Sequence, residues 1–76
     1  MGKLPALSAR KVLKALGQAG FEIVGQRGSH VRLNGRRGGE VRVVIVPNHR
    51  SIAPGTLVSI LRQAGMTRAE FDELLK

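Results

Sequence analysis

The sequence predicts a two-layer α+β domain, with a three-stranded antiparallel sheet carrying helices on one face, in the order αβββαα. Three observations predict it. Apolar residues recur at helical spacing near both ends of the chain. Between them lie short, β-branched, alternating segments separated by glycine-rich turns. A length of 76 residues allows one core, which the helices close by covering one face of the sheet. The expectation is a single domain over 1–76 with an ordered core at about 8–75.

The first helix is predicted from about Ser8 to Ala19. Ser8 is a good N-cap, Gly20 sits where a left-handed C-cap belongs, and Ala9, Val12, Leu13 and Leu16 form one apolar stripe. Arg10, Lys11 and Lys14 fall outside that stripe, toward solvent. Phe21 to about Gly25 reads as a short strand and Gln26-Arg27-Gly28 as a turn. Ser29 to Leu33 alternates, sending Val31 and Leu33 to the core and His30 and Arg32 to the other face. Asn34-Gly35 is a strong turn signal, extended by Arg36-Arg37-Gly38-Gly39. Val41 to Val46 is the clearest strand, and Pro47 stops it. Pro54-Gly55-Thr56 opens a second helix, whose core stripe is Leu57, Ile60, Leu61 and Ala64 and whose end is Gly65. Thr67 to Glu70 fits a capping box, so a short last helix packs Phe71, Leu74 and Leu75 downward. The face of the sheet left uncovered displays His30 and Arg32.

The charge narrows the class of partner. Thirteen Lys and Arg stand against five Asp and Glu, a formal net charge of +8. Eleven of those thirteen bases precede residue 66, whereas three of the five acids follow it. Such a charge on a small body suits a polyanion, an acidic protein or a membrane surface. Arginine outnumbers lysine nine to four, which favours bidentate phosphate or carboxylate contacts. The longest branched apolar run, Val43 to Val46, is far too short to span a membrane, and no signal-peptide-like run stands near the start. A cytoplasmic protein with no membrane partner is expected. Cysteine is absent, which excludes disulfides and thiolate metal sites; two histidines and scattered carboxylates make a poor metal set. Neither a metal nor a small-molecule cofactor is expected.

Three constellations can carry chemistry. In Gly28-Ser29-His30, the imidazole at a strand start lies between Arg27 and Arg32. A neutral histidine can take the proton of a ribose 2′-hydroxyl, while guanidinium groups hold the phosphate. The alternative is an ordinary exposed strand histidine. In Pro47-Asn48-His49-Arg50, His49 is either a second acid, base or phosphate contact, or a loop histidine serving the backbone. The stretch from Asn34 to Gly39, with Arg36 and Arg37, is either a mobile basic grip on a phosphate backbone or a solubilising turn. It lacks the P-loop pattern. The only aromatics, Phe21 and Phe71, both look like core, which argues against base-stacking RNA readers.

Gly28-Ser29-His30, then Val46-Pro47-Asn48-His49, then Pro54-Gly55-Thr56-Leu57 with Ile60-Leu61-Arg62-Gln63-Ala64-Gly65, resembles the HicA toxins of HicAB toxin–antitoxin systems. The Ser8 helix followed by Gly20-Phe21 fits as well, so the resemblance covers about Ser8 to Leu75. It implies a double-stranded-RNA-binding-like fold and an mRNA interferase, a metal-independent endoribonuclease that blocks translation. It implies that the catalytic histidine falls on His30 and that an acidic HicB-type antitoxin covers the His30 face. His49 matches a histidine often found there. With mRNA as substrate, Lys11, Lys14, Arg27, Ser29, Arg32, Arg36, Arg37 and His49 are the expected RNA contacts. Two other functions compete: a non-catalytic double-stranded-RNA-binding module of the same fold, and a small basic protein that only pairs with an acidic partner.

Overall fold

The structure, a computed structural model, describes residues 7–76. Its elements are α1 (Ala9–Gln18), β1 (Glu22–Arg27), β2 (His30–Arg37), β3 (Glu40–Pro47), α2 (Pro54–Ala64) and α3 (Arg68–Leu75). The strands form one antiparallel sheet in the order β1-β2-β3, with the helices on one side of it. This is the α+β architecture the sequence predicts.

Local chemistry sets the helix ends. The Ser8 hydroxyl accepts the Lys11 N–H at 3.2 Å and starts α1. At the other end the Phe21 N–H donates to the Leu16 carbonyl and the Gly20 N–H to Gly17, a Schellman closure. The end of α2 repeats it, with Met66 N–H on Leu61 and Gly65 N–H on Arg62. Each closure drops an apolar side chain, Phe21 or Met66, directly into the core. Pro54 occupies the first turn of α2, where its missing N–H costs nothing. Thr67 and Glu70 form the expected reciprocal capping box at α3.

The core lies between the helices and β2 with β3. Val31, Leu33, Val44 and Val46 supply the sheet side; Val12, Leu16, Leu57, Ile60 and Phe71 supply the helix side. Of the first helix stripe, Ala9, Val12 and Leu16 are buried together with Ala15, whereas Leu13 is only partly covered. Phe71 is fully buried; Leu74 and Leu75 pack partly against the core. No residue of β1 is buried, and Ile23 and Val24 are 60% and 52% exposed.

The strands are longer than their sequence signals. β1 continues to Arg27, so the first turn is only Gly28-Ser29, closed by the pair Arg27 and His30. Gly28 has φ +58° and Ser29 a negative φ, the pattern of a type II′ hairpin turn, for which glycine is the fitting first residue. The larger correction is at Asn34-Gly35, which is strand and not turn. β2 runs through it to Arg37, and the turn is Gly38-Gly39, with φ +61° and +83°. Burial decides this. With the turn at Gly38-Gly39, Val31 pairs with Val46 and Leu33 with Val44, joining four buried side chains across the hairpin. A turn centred on Asn34-Gly35 would instead set Leu33 opposite Arg36 and leave the β-branched strand unpaired.

Gly35 then acquires a different role. A Cβ built there would stand 2.5 Å from the Phe21 ring, so the strand carries no side chain where the ring slides beneath it. Gly35→Ala should therefore destabilise the protein by ~1–3 kcal/mol, as overpacking does. Gly17→Ala, in α1 with open space around it, should stabilise by up to about 1 kcal/mol. Urea denaturation of both variants checks the contrast; equal effects would remove the Phe21 explanation.

Candidate active site on the open face of the sheet

The alternation that buries Val31 and Leu33 turns His30, Arg32, Asn34 and Arg36 onto the opposite, helix-free face. Register adds their neighbours. Arg27 lies directly across from His30, Gly25 from Arg32 and Glu22 from Asn34 on β1. On β3, Pro47, Ile45, Val43 and Val41 oppose His30, Arg32, Asn34 and Arg36 in turn. The face is thus a basic row on β2 beside an apolar row on β3, with Val41, Val43 and Ile45 exposed at 63%, 41% and 36%.

At one end a shallow depression is lined by Gly25, Gln26, Arg27, His30, Arg32 and Ile45. Cross-strand pairing puts the Arg27 and His30 Cβ atoms about 5 Å apart. Arg32 is two residues along the same strand, on the same face. A β-bulge between Ile23 and Gly25 shifts β1 by one residue here, and Gly25 leaves the ground opposite Arg32 open. Two guanidinium groups flanking an imidazole in an open depression can hold a phosphodiester, while the imidazole accepts a proton from a neighbouring hydroxyl. Among the described residues, Arg27, Arg32 and Arg36 form no ion pair, so their charges remain available. No group of three or more His, Cys, Asp or Glu suited to a metal occurs among the described residues.

Ser29 sits in the turn beside this depression, not in the strand. Its carbonyl accepts the Asn48 N–H at 2.6 Å, joining the loop after β3 to the His30 turn. His49 follows in that loop. Its carbonyl accepts the Ala9 N–H at 2.9 Å and its own N–H donates to Pro47, so its backbone ties the start of α1 to the end of β3. The His49 side chain is exposed.

The remaining expected contacts divide. Arg36 is exposed on the open face, in line with His30 and Arg32. Arg37 is on the other side: its Nη2 donates to Glu70 Oε2 at 2.6 Å and its Nε to the Gly65 carbonyl at 3.3 Å. It is a strut between β2 and α3, not part of a mobile basic tip. Lys11 and Lys14 are exposed on α1 beside Leu74, Leu75 and Lys76, in the helix layer away from His30. Sequence reading missed Glu22 and Asn34 as members of the His30 face. The signal was the period-two alternation, which continues through Asn34 and Arg36 once Asn34-Gly35 is not taken for a turn.

Glu70 joins β2 to the start of α3, since its Oε1 also accepts the Thr67 N–H at 2.8 Å. That backbone hydrogen bond first, and the Arg37 guanidinium second, hold its carboxyl below the ordinary glutamate value. A group with a lowered folded pKa contributes stability that is present above the ordinary carboxylate range and is lost as pH falls through the lowered value. The stability gap between wild type and Glu70→Gln should therefore be widest at neutral pH and close on acidification. Arg37→Ala should narrow that gap, whereas Arg36→Ala should leave it unchanged. Urea denaturation from neutral to acid pH reads this; a gap that grows in acid contradicts the assignment.

The sequence profile of a family described as the HicA toxin of bacterial toxin–antitoxin systems matches residues 9–66. That span runs from the first residue of α1 to the Met66 closure of α2 and includes the whole sheet. No curated protein matches the chain.

Proposed function

The chain belongs to the HicA toxin family of bacterial toxin–antitoxin systems, and from that premise we propose that it is a metal-independent endoribonuclease that cleaves mRNA with His30 as its catalytic base. The observation that carries the reading is the Arg27, His30 and Arg32 cluster in an open depression of the sheet. In the proposed step the His30 imidazole removes the proton of a ribose 2′-hydroxyl. The O2′–P bond forms, the P–O5′ bond breaks, and the leaving 5′ oxygen takes a proton from solvent. Arg27 and Arg32 hold the non-bridging oxygens and offset the charge that develops on them. The depression is shallow, which suits a single strand laid across a face better than a substrate enclosed in a cleft.

His30→Ala should keep the fold, because His30 is exposed, and lower the cleavage rate by about 10²- to 10⁴-fold. Cleavage by the wild-type protein should persist in EDTA and leave a 2′,3′-cyclic phosphate or a 3′-phosphate, with a 5′-hydroxyl. A folded His30→Ala protein with full activity, or strict dependence on Mg²⁺, would overturn the mechanism. RNA binding by the wild-type protein without any cleavage would favour a non-catalytic RNA-binding module.

The same face fits the antitoxin partner. An acidic HicB-type protein lying over Arg27, Arg32 and Arg36 would approach faster through charge complementarity and would occlude His30. The exposed Val41, Val43 and Ile45 row supports this reading, since it offers apolar area that an RNA backbone does not use. Val43→Asp should weaken the antitoxin complex at least tenfold, about 1.4 kcal/mol, while the free protein still cleaves RNA. A titration of purified partners measures this; unchanged affinity would place the antitoxin elsewhere.

A further inference from the structure

The far end of the open face has a second depression, where β1 ends. It is lined by Gly20, Glu22, Asn34, Gly35, Arg36 and Val41, and is broadly open, with a volume of about 350 Å³. Glu22 and Asn34 are the last pair of the β1–β2 ladder, so Arg36 has no β1 neighbour and its flank stands open. Two details are out of keeping with a surface that only grips phosphate. Glu22 is a carboxylate on a face otherwise carrying Arg27, His30, Arg32 and Arg36, and among the described residues it forms no ion pair. Asn34 has its side-chain oxygen buried with no hydrogen-bond partner, which is costly for a buried acceptor unless a ligand supplies a donor.

We propose that Glu22, Asn34 and Arg36 form a base-reading subsite that selects an unpaired guanine in the RNA strand. The inference rests on the RNA-cleaving reading and adds a specificity element to it. A carboxylate repels the phosphate backbone, so on an RNA-binding face its use is toward base edges, where sequence is read. The subsite presents two acceptors, the Glu22 carboxylate and the Asn34 oxygen, beside one donor, the Arg36 guanidinium. Guanine presents the complement: N1–H and an exocyclic amino group beside the O6 acceptor. Adenine and cytosine each offer an amino group next to a ring acceptor, which would face the carboxylate unfavourably. Uracil offers a single N–H between two carbonyls. Asn34 is four residues from His30 along β2, about 13 Å at strand rise. The selected guanine therefore lies a few nucleotides from the scissile phosphate. Gly20, with open space around it, leaves room there for the base to lie against backbone, and Val41 gives it an apolar wall.

The test uses the His30→Ala protein, which binds without cleaving, and short single-stranded RNAs with one guanine, the same RNAs with inosine in its place, and RNAs lacking guanine. Inosine keeps N1–H and O6 but lacks the exocyclic amino group. The guanine RNA should bind about tenfold more tightly than the inosine RNA. Adding Glu22→Gln should weaken guanine binding and bring the two affinities together, and adding Asn34→Ala should narrow the difference. If Glu22→Gln instead tightens all RNAs equally, Glu22 is only a repelling charge and the subsite is overturned, with RNA binding itself intact. Free GMP binding as tightly as the guanine RNA would make this a nucleotide site and also overturn the proposal. So would unchanged RNA binding with a weakened antitoxin complex, which would give the depression to the protein partner. Failure of every RNA to bind the His30→Ala protein would reject the RNA-cleaving reading beneath it.

Discussion

The register between β2 and β3 is the constraint on which everything else here depends. Val31 on Val46 and Leu33 on Val44 form the floor of the core, and each pair is buried on both strands. Because side chains alternate strictly along a strand, a slip of one residue would carry Val31 and Leu33 to the solvent and His30 and Arg32 into the core. The cost of burying two unpaired cationic or polar side chains would far exceed any gain elsewhere. The core thus fixes the open face indirectly: the burial of Val31 beside it turns His30 outward. The Gly38-Gly39 turn closes the hairpin in that same register, so local backbone chemistry and core packing specify one arrangement.

Most of the architecture was legible from periodicity. Both long helices, their capping residues and the capping box of α3 follow from spacing alone, because short-range hydrogen bonds decide them. The placement of His30 and Arg32 on an open face was legible for the same reason. What misled was turn chemistry. Asn34-Gly35 is a strong local hairpin signal, but Leu33 and Val31 needed the apolar partners of β3, which a local signal cannot register. The error moved Arg36 and Arg37 together onto a tip, whereas strand alternation sends them to opposite faces. Glu22 and Asn34 were invisible as a pair, since their adjacency depends on a bulge in β1.

The arginines divide labour by face. Arg37, Arg42 and Arg68 are in ion pairs with Glu70, Glu40 and Asp72. Arg42 also donates to the Gln63 carbonyl, and the Gln63 side chain accepts the Ile45 N–H at 2.8 Å, so α2 is held along the outer edge of β3. That edge is thereby protected from pairing with another strand. Arg27, Arg32 and Arg36, on the open face, are left for an anionic ligand. Four of the thirteen basic side chains, Arg37, Arg42, Arg68 and Lys76, are thus paired within the frame, so the number of bases overstates what a ligand meets.

β1 contributes Arg27 and Glu22 to the open face yet buries no side chain of its own. It is joined to the rest by the pairing with β2, by the Gly28-Ser29 turn and by the Phe21 anchor preceding it. The sheet is therefore graded in local free energy. Its centre and one edge share the cost of global unfolding, while the other edge can detach by breaking a single ladder and exposing little new apolar area. The histidine stands on the anchored side of that gradient and its facing arginine on the loose side. A strand of RNA bridging Arg27 and Arg32 would stitch the two sides together, so occupancy of the face and order in β1 are thermodynamically linked.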